Sequence, residues 1–489
     1  MGVGPGALED YVDVFYKYDN MLGGCIWEMV DHAVFHEGKK YAYTYGGDHG
    51  EYVHDGNFCV DGLFYPDRTP STSAYAMKNS YRPVRAKIAG NGIIALTNHN
   101  AFRNASYLTI KGTLLVEGNA IFNFDVPSNI PAGATKTFNL NFEALGGDIQ
   151  INLDYYDGAR VVAFEQLRVS EALTEIKRMG RGRKIEVNTI GSLVKIAFDG
   201  GSIIFDEKTG ALVDYRVGDT SILADKPLKQ GYYGRLYQNV YRAPTDNDMY
   251  VKKAWHKADY DNLTIKKEDF HYQTFSDKVE VSVSLAMLNA KGKKIFGVRD
   301  VYTILNTGVV RVESSLTASK KVLPILPRVG KIIEVKPEFN DVIYYGCGPR
   351  ENYPDFKSQA RLGVYRTTVE KMEENYVKPQ ESGNRTDVRY CALRNAKGEG
   401  IMIFADVNAL NFGVKRYTDV ALAKWNHRED VVYDDVNYLS IDGYMGGIGS
   451  NSCGPMPIDK YQLKTNRSYT FSFKIVPFDD LSEDILSNS

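Results

Sequence analysis

The first apolar positions of the chain, Leu8, Tyr11, Val12, Phe15 and Tyr18, recur at helical spacing. Pro5 and Gly6 suit a helix start, and Asp19-Asn20 closes the predicted helix. The pattern then changes. "GGCIWEMV", Gly23 to Val30, is a short apolar run bounded by glycine, the pattern of a strand buried on both faces. A loop rich in Gly, His and Tyr runs from Asp31 to Asp61. "STSAYAMKNSYRPV" then predicts a second helix, with Ser71 or Thr72 as its cap and Pro83 past its end. Helix, buried strand, long loop and helix is the order of a parallel (β/α) unit. Two helices and about one strand are too few to close a sheet, so this part reads as the tail of something larger.

From Val84 the period falls to two. "VRAKIAGNGIIALTNHNAF", "YLTIKGTLLVEGNAIF", "TKTFNLNF" and "GARVVAFEQLRV" are alternating strands punctuated by "NG", "NHN" and "PAGA", the texture of a small antiparallel sandwich. The charged "EIKRMGRGRKIE" reads as a linker, its basic residues a short solvated cluster rather than a nucleic-acid patch. Residues 187 to 478 are again β-rich, as in "KVEVSVSLAML" and "SYTFSFKIVPF", and are too long for one sandwich, so two large packed sheets are expected. No fixed-period repeat is present, which disfavours a propeller or solenoid.

Composition narrows the function classes. With 489 residues, 43% hydrophobic and 25% charged, the chain has material for several cores. A formal charge of −2 gives no electrostatic case for nucleic acid or an anionic membrane as a partner. No run of about 20 apolar residues is available to span a bilayer. The N-terminus lacks a basic leader followed by an apolar core, and Gly6 stands where a myristoylation signal has Ser or Thr. Five scattered cysteines without a CxxC favour reduced thiols and a cytoplasmic location. "HGEYVH", His49 to His54, is the densest histidine group, and it does not have a ligand spacing such as HExxH.

Candidate chemistry gathers on loops. Trp27 beside Glu28, Asp31 and His32 suits a sugar platform, its ring packing on a pyranose face while acidic groups take the hydroxyls. A core tryptophan with capping carboxylates is the other reading of the same residues. "YGGDHGEYVHDGNFCVDGLFYPDRTP" carries Asp48, Glu51, Asp55, Asp61 and Asp67 among glycines, an oxygen-rich loop that could hold a hard cation or simply be solvated. "YRAPTDND", "YGCGPRENYPDF" and "PQESGNRTDVRY" have more polar groups than a turn needs, and are expected to be buried ion-pair and hydrogen-bond knots. "YMGGIGSNSCGP" is a glycine-rich loop long enough to reach a neighbouring domain.

Taken in order, "GGCIWEMVDH", the "YGGDHG…PDRTP" loop, "YRAPTDND", "GPRENYPDF", "PQESGNRTDVRY" and "GGIGSNSCGP" resemble the C-terminal half of the large bacterial β-galactosidases of glycoside hydrolase family 2. The resemblance implies a mainly β chain. Residues 1–82 would be the C-terminal remnant of a (β/α)8 barrel of TIM type, 83–172 an immunoglobulin-like β-sandwich and 185–480 a large β-supersandwich. It further implies that Trp27 stacks on the sugar. Phe58, through its carbonyl, and Asp61 would lie near a monovalent cation, Na+ or K+, and near the galactosyl 6-hydroxyl. The loop around Cys453 would cover the site, without the tryptophan that some members carry there.

The family's nucleophilic glutamate lies in an E-Y-x-H-A-M-G motif whose end "MGVGPG" resembles, which would place it, the acid/base glutamate and the Mg2+ ligands upstream of Met1. Glu28, next to an inward-pointing residue, is expected to face out of the pocket. The implied function is the C-terminal portion of a retaining β-galactosidase acting on terminal β-D-galactosides such as lactose, inactive without an N-terminal portion. A non-catalytic carbohydrate-binding scaffold is the alternative from another class. A β-glucuronidase or β-mannosidase relative is disfavoured, since those usually lack the large C-terminal domain. A partial barrel would also expose apolar edges, and self-association through residues 1 to 80 is expected.

Overall fold

Alternation fixes the strands. In Lys278–Leu288 the side chains of Val279, Val281, Val283 and Leu285 are buried while the residues between them are partly exposed, so one face enters the core. The computed structural model describes residues 4–90, 92–140, 145–174, 176, 184–225, 234–319, 323–449, 454 and 456–478. The fold of these residues is mainly β. No helix among them is long and apolar enough to cross a membrane.

Near the N-terminus, helix α1 spans Leu8–Lys17 and helix α2 spans Thr72–Ser80, as their periodicity predicts. Ser71 holds the cap position of α2, but its hydroxyl donates to the Leu63 carbonyl at 2.8 Å. The first turn is served instead by Glu374 of the distant C-terminal part, which accepts from the Thr72 hydroxyl at 2.6 Å and the Thr72 amide at 3.3 Å. The expectation of a strand buried on both faces at 23–30 is not met. Cys25, Trp27 and Met29 are exposed, and pairing is confined to a single parallel bridge from Val30 to Phe64. A two-faced buried strand needs a ladder on each side, and no strand among the described residues flanks 23–29.

Residues 84–170 form two antiparallel sheets. Val84–Gly90, Ile93–Asn98 and Thr135–Asn139 make one; Asn119–Val126, Leu108–Val116, Ile149–Asp157 and Arg160–Ser170, in that spatial order, make the other. Val84, Ile94 and Leu96 of the first share a core with Ile110, Ile151 and Leu153 of the second. The linker stretch 175–186 lies largely outside the described residues.

Beyond it, two larger sheets face each other. One runs in space from Glu186–Ile190 through Arg328–Val335 and Asn437–Met445 to Arg385–Val388; the other runs from Thr264–Thr274 through Val310–Ala318 and Tyr469–Phe478 to Arg361–Thr368. Phe205, Ile333 and Ile441 of the first pack with Val281, Val312 and Phe473 of the second in one core. An ion pair bridges the sheets inside it, Lys331 Nζ lying 2.6 Å from the Asp300 carboxylate.

The small sandwich is tied to this body by charge as well as by packing. Asp148, fully buried, accepts from Arg389 Nε at 2.8 Å and from the Tyr345 hydroxyl at 2.9 Å. Removing one partner of such a pair strands the other charge away from water. Arg389→Met is therefore expected to lower the stability of the chain by about 3 kcal/mol, and adding Asp148→Asn to recover part of that loss. Urea unfolding midpoints of the single and double variants check both outcomes.

Candidate functional site

Two irregular stretches, 28–32 and 59–64, lie side by side and build one wall of a cavity. Leu63 and Phe64 donate their amides to the Glu28 and Met29 carbonyls, each at 3.0 Å, and Asp31 donates its amide to Phe64 at 2.9 Å. The Gly62 amide returns a bond to Asp31 Oδ1 at 2.7 Å. Gly62 can carry no side chain here, because a Cβ would collide with the backbone of Val30 and Asp31.

The cavity, about 510 Å³, takes Trp27, Asp31 and Asp61 from this wall, Tyr11 and Phe15 from α1, and Tyr376, Lys378 and Gln380 from the large β region. Trp27 is 72% exposed, so it is not a core tryptophan. Glu28 does not line the cavity; its carboxylate lies 3.3 Å from His32 Nε2. Phe58 lies outside the lining too, and is 42% exposed. Of the two residues expected near a cation, only Asp61 reaches the cavity wall. Cys453 lies outside the described residues. Cys25, Cys59, Cys347 and Cys391 form no disulfide.

The polar motifs expected to be knots are knots, and two of them hold the cavity loop in place. In "YRAPTDND", Arg242 pairs with Asp248 at 2.5 Å, both buried. Asp246 reaches outward, accepting from Asn57 Nδ2 at 2.8 Å and from Gln380 Nε2 at 2.9 Å. Asp48 is held by His427, whose Nε2 lies 2.8 Å from its carboxylate. The rings of Tyr41 and Tyr45 stack on this imidazole at 3.9 and 4.9 Å between centroids. His49 and His54 make local contacts, to the Thr44 hydroxyl and the Gly56 amide, and no group of three metal-ligating side chains occurs among the described residues. Sequence reasoning missed Asp246, Gln380 and His427 as supports of the site. The motifs of Asp246 and Gln380 were conspicuous and His427 lay in none, but the partners of all three lie about 130 to 380 residues away.

Burial pushes the Asp31 carboxyl up to about 7, against the opposing bond from the Gly62 amide; the charges of Glu28 and Asp246 add to the rise. The folded state thus holds this proton more tightly than the unfolded chain does. Its stabilising effect is complete below the unfolded carboxylate value of about 3.9 and is lost as the pH rises toward 7. Asp31→Asn keeps an acceptor for Gly62 and removes the titration. Its stability is expected to gain on wild type by about 2–3 kcal/mol between pH 5 and pH 8, read from thermal unfolding at the two values.

Comparison with known proteins gives these features a family. A profile described as "Beta galactosidase small chain" matches residues 198–475, and one described as "Glycosyl hydrolases family 2, TIM barrel domain" matches residues 1–86. The β-galactosidase of Actinobacillus pleuropneumoniae is 30% identical over 95% of this chain and 45% of its own length. That of Staphylococcus xylosus is 30% identical over 97% and 48%, and that of Priestia megaterium 29% identical over 98% and 47%. The chain spans about half the length of the curated relatives it matches. Over most of its length, then, the chain belongs to the β-galactosidase small-chain family, and its first 86 residues are the C-terminal end of a family 2 glycosyl hydrolase TIM-barrel domain.

Proposed function

We propose that this chain is the C-terminal portion of a retaining β-galactosidase of the cytoplasm, acting on terminal β-D-galactosides such as lactose, and that it supplies one wall of the sugar site. The observation that carries this reading is the convergence of Trp27 and Asp61 on one cavity, with the Trp27 ring open to solvent. An exposed indole beside a carboxylate suits a galactosyl ring, whose apolar face stacks while its hydroxyls find acceptors. Asp61, with the Phe58 carbonyl, is the donor set proposed for Na+ or K+, which would supply a fixed positive charge beside the sugar. The glycine-rich loop that carries Cys453 would cover the acceptor side.

Retaining hydrolysis needs two carboxyl groups about 5–5.5 Å apart, one nucleophile and one acid/base. The carboxylates lining the cavity among the described residues are Asp31 and Asp61, neighbours on the same wall, and no glutamate lines it. The nucleophile and acid/base glutamates, with the Mg2+ ligands, are accordingly assigned to an N-terminal portion. Such a partner has a surface to meet: Tyr11, Tyr18, Trp27, Met29, Val34 and Phe35 are all exposed, and self-association would cover the same residues.

The absence of glutamate from the described lining also favours a second reading, a scaffold that binds carbohydrate without chemistry. The two separate on hydrolysis of a chromogenic β-galactoside by the purified chain, with and without an N-terminal fragment from a relative. Turnover only with the fragment is expected, and Trp27→Ala is expected to weaken galactoside binding at least about tenfold. Turnover by the chain alone would overturn the assignment of the glutamates. Binding without turnover in either mixture would leave the scaffold.

A further inference from the structure

A second cleft, of about 480 Å³, opens where Tyr65, Thr69 and Pro70 face the large β region at 349–351, 371–375 and Arg385. Tyr65 is a wall of both cavities. The charges around this cleft divide into two sets.

The carboxylates are committed. Glu374 accepts from the Tyr65 hydroxyl at 2.7 Å as well as from Thr72 at the start of α2. Glu373 faces Arg428 at 3.7 Å. Glu351, buried, accepts from the Tyr376 hydroxyl at 2.6 Å and the Gly383 amide at 2.8 Å. The cations are not committed. Arg350 stacks over the Tyr75 ring at 3.7 Å and has no ion pair among the described residues. Lys371, exposed, has neither an ion pair nor a side-chain hydrogen bond among them.

Arg385 is the telling one. It is 2% exposed, yet its guanidinium makes no ion pair with a carboxylate among the described residues. Nε donates to the Tyr344 hydroxyl at 3.1 Å and Nη1 to the Gly383 and Asn384 carbonyls at 3.1 and 3.2 Å, while Nη2 has no partner among the described residues. Burying a guanidinium without a counter-ion costs several kcal/mol on general grounds. Burial, and next the charge of Glu374, push the Glu351 carboxyl well above the ordinary carboxylate range, against the opposing charge of Arg385.

We propose that this cleft binds a phosphate group, free or carried on a sugar, held by Arg350, Lys371 and the unpaired Nη2 of Arg385. Guanidinium forks match the geometry of a tetrahedral oxyanion, and a cavity of this volume has room for more than the anion alone.

The test is isothermal titration of the whole chain with inorganic phosphate and with glucose 6-phosphate, at constant ionic strength so that general screening is unchanged. Saturable binding of at least one is expected. The Arg350→Ala/Lys371→Ala double variant, altered only at side chains without ion pairs, is expected to bind at least about tenfold more weakly. Its circular dichroism spectrum should match that of wild type, which separates lost binding from lost fold. Tighter binding of glucose 6-phosphate would assign the cleft to a sugar phosphate, and equal binding to the free anion. No saturable heat with either up to about 20 mM, or undiminished affinity in the double variant, would overturn the proposal.

Discussion

The placement of the cavity lined by Trp27 and Asp61 depends on one buried residue of the large β region, Asp355. Its carboxylate accepts the amides of Ile448 and Gly449 at 3.0 and 2.9 Å, and its carbonyl accepts the amide of Ala7 at 2.5 Å. Gly449 in turn accepts the Gly6 amide at 2.9 Å. Three segments far apart in sequence therefore meet within one hydrogen-bond cluster. The approach is so close that a Cβ at Gly6 would strike the Asp355 carboxylate, and Gly449 adopts a φ of 92° that a side chain would strain. Whatever fixes Asp355 fixes where α1 begins, and α1 supplies Tyr11 and Phe15 to the cavity.

That dependence explains how irregular backbone can hold a defined shape. The stretches 28–32 and 59–64 have one bridge in place of a sheet, yet their neighbours are pinned by Asp246 through Asn57 and by His427 through Asp48. Each pin is a polar group of the large β region reaching into the N-terminal part. Buried charges of the large β region form closed pairs such as Arg242 with Asp248 and Lys331 with Asp300. Against that background the buried Arg385, without an ion pair among the described residues, stands apart, because a fold that pairs its buried charges elsewhere leaves few unpaired by accident.

The strands were legible because period-two burial is local information, and Lys278–Leu288 shows it residue by residue. The two helices were legible for the same reason. The run at 23–30 misled: apolar continuity reports that a segment wants neighbours on both faces, not that they are there. At the cavity, Trp27 and Asp61 could be named from motif resemblance, and both line it. Phe58 comes from the same motif and does not, since a backbone carbonyl is aimed by loop geometry that composition does not encode. His427 and Arg385 left no signal of their roles. One acts through tyrosines and an aspartate some 380 residues earlier, and the other matters for a bond its guanidinium does not make.

The central claim, that the large β region holds the N-terminal wall in order, is tested most directly by amide hydrogen exchange across residues 4–65. Protection is expected at Gly6, Ala7, Asp31 and Phe64, whose amides are all bonded, with rapid exchange at the exposed Tyr52 and Val53. An Asp355→Ala variant, which removes the acceptor of the Ile448 and Gly449 amides, should lose the protection at both, and Gly6, whose acceptor is the Gly449 carbonyl, should exchange faster with them, while the amides of Lys278–Leu288 keep theirs. Exchange of the whole 4–65 stretch at unfolded-chain rates in the wild-type protein would contradict the claim, and so would unchanged protection at Gly449 and Gly6 in the variant.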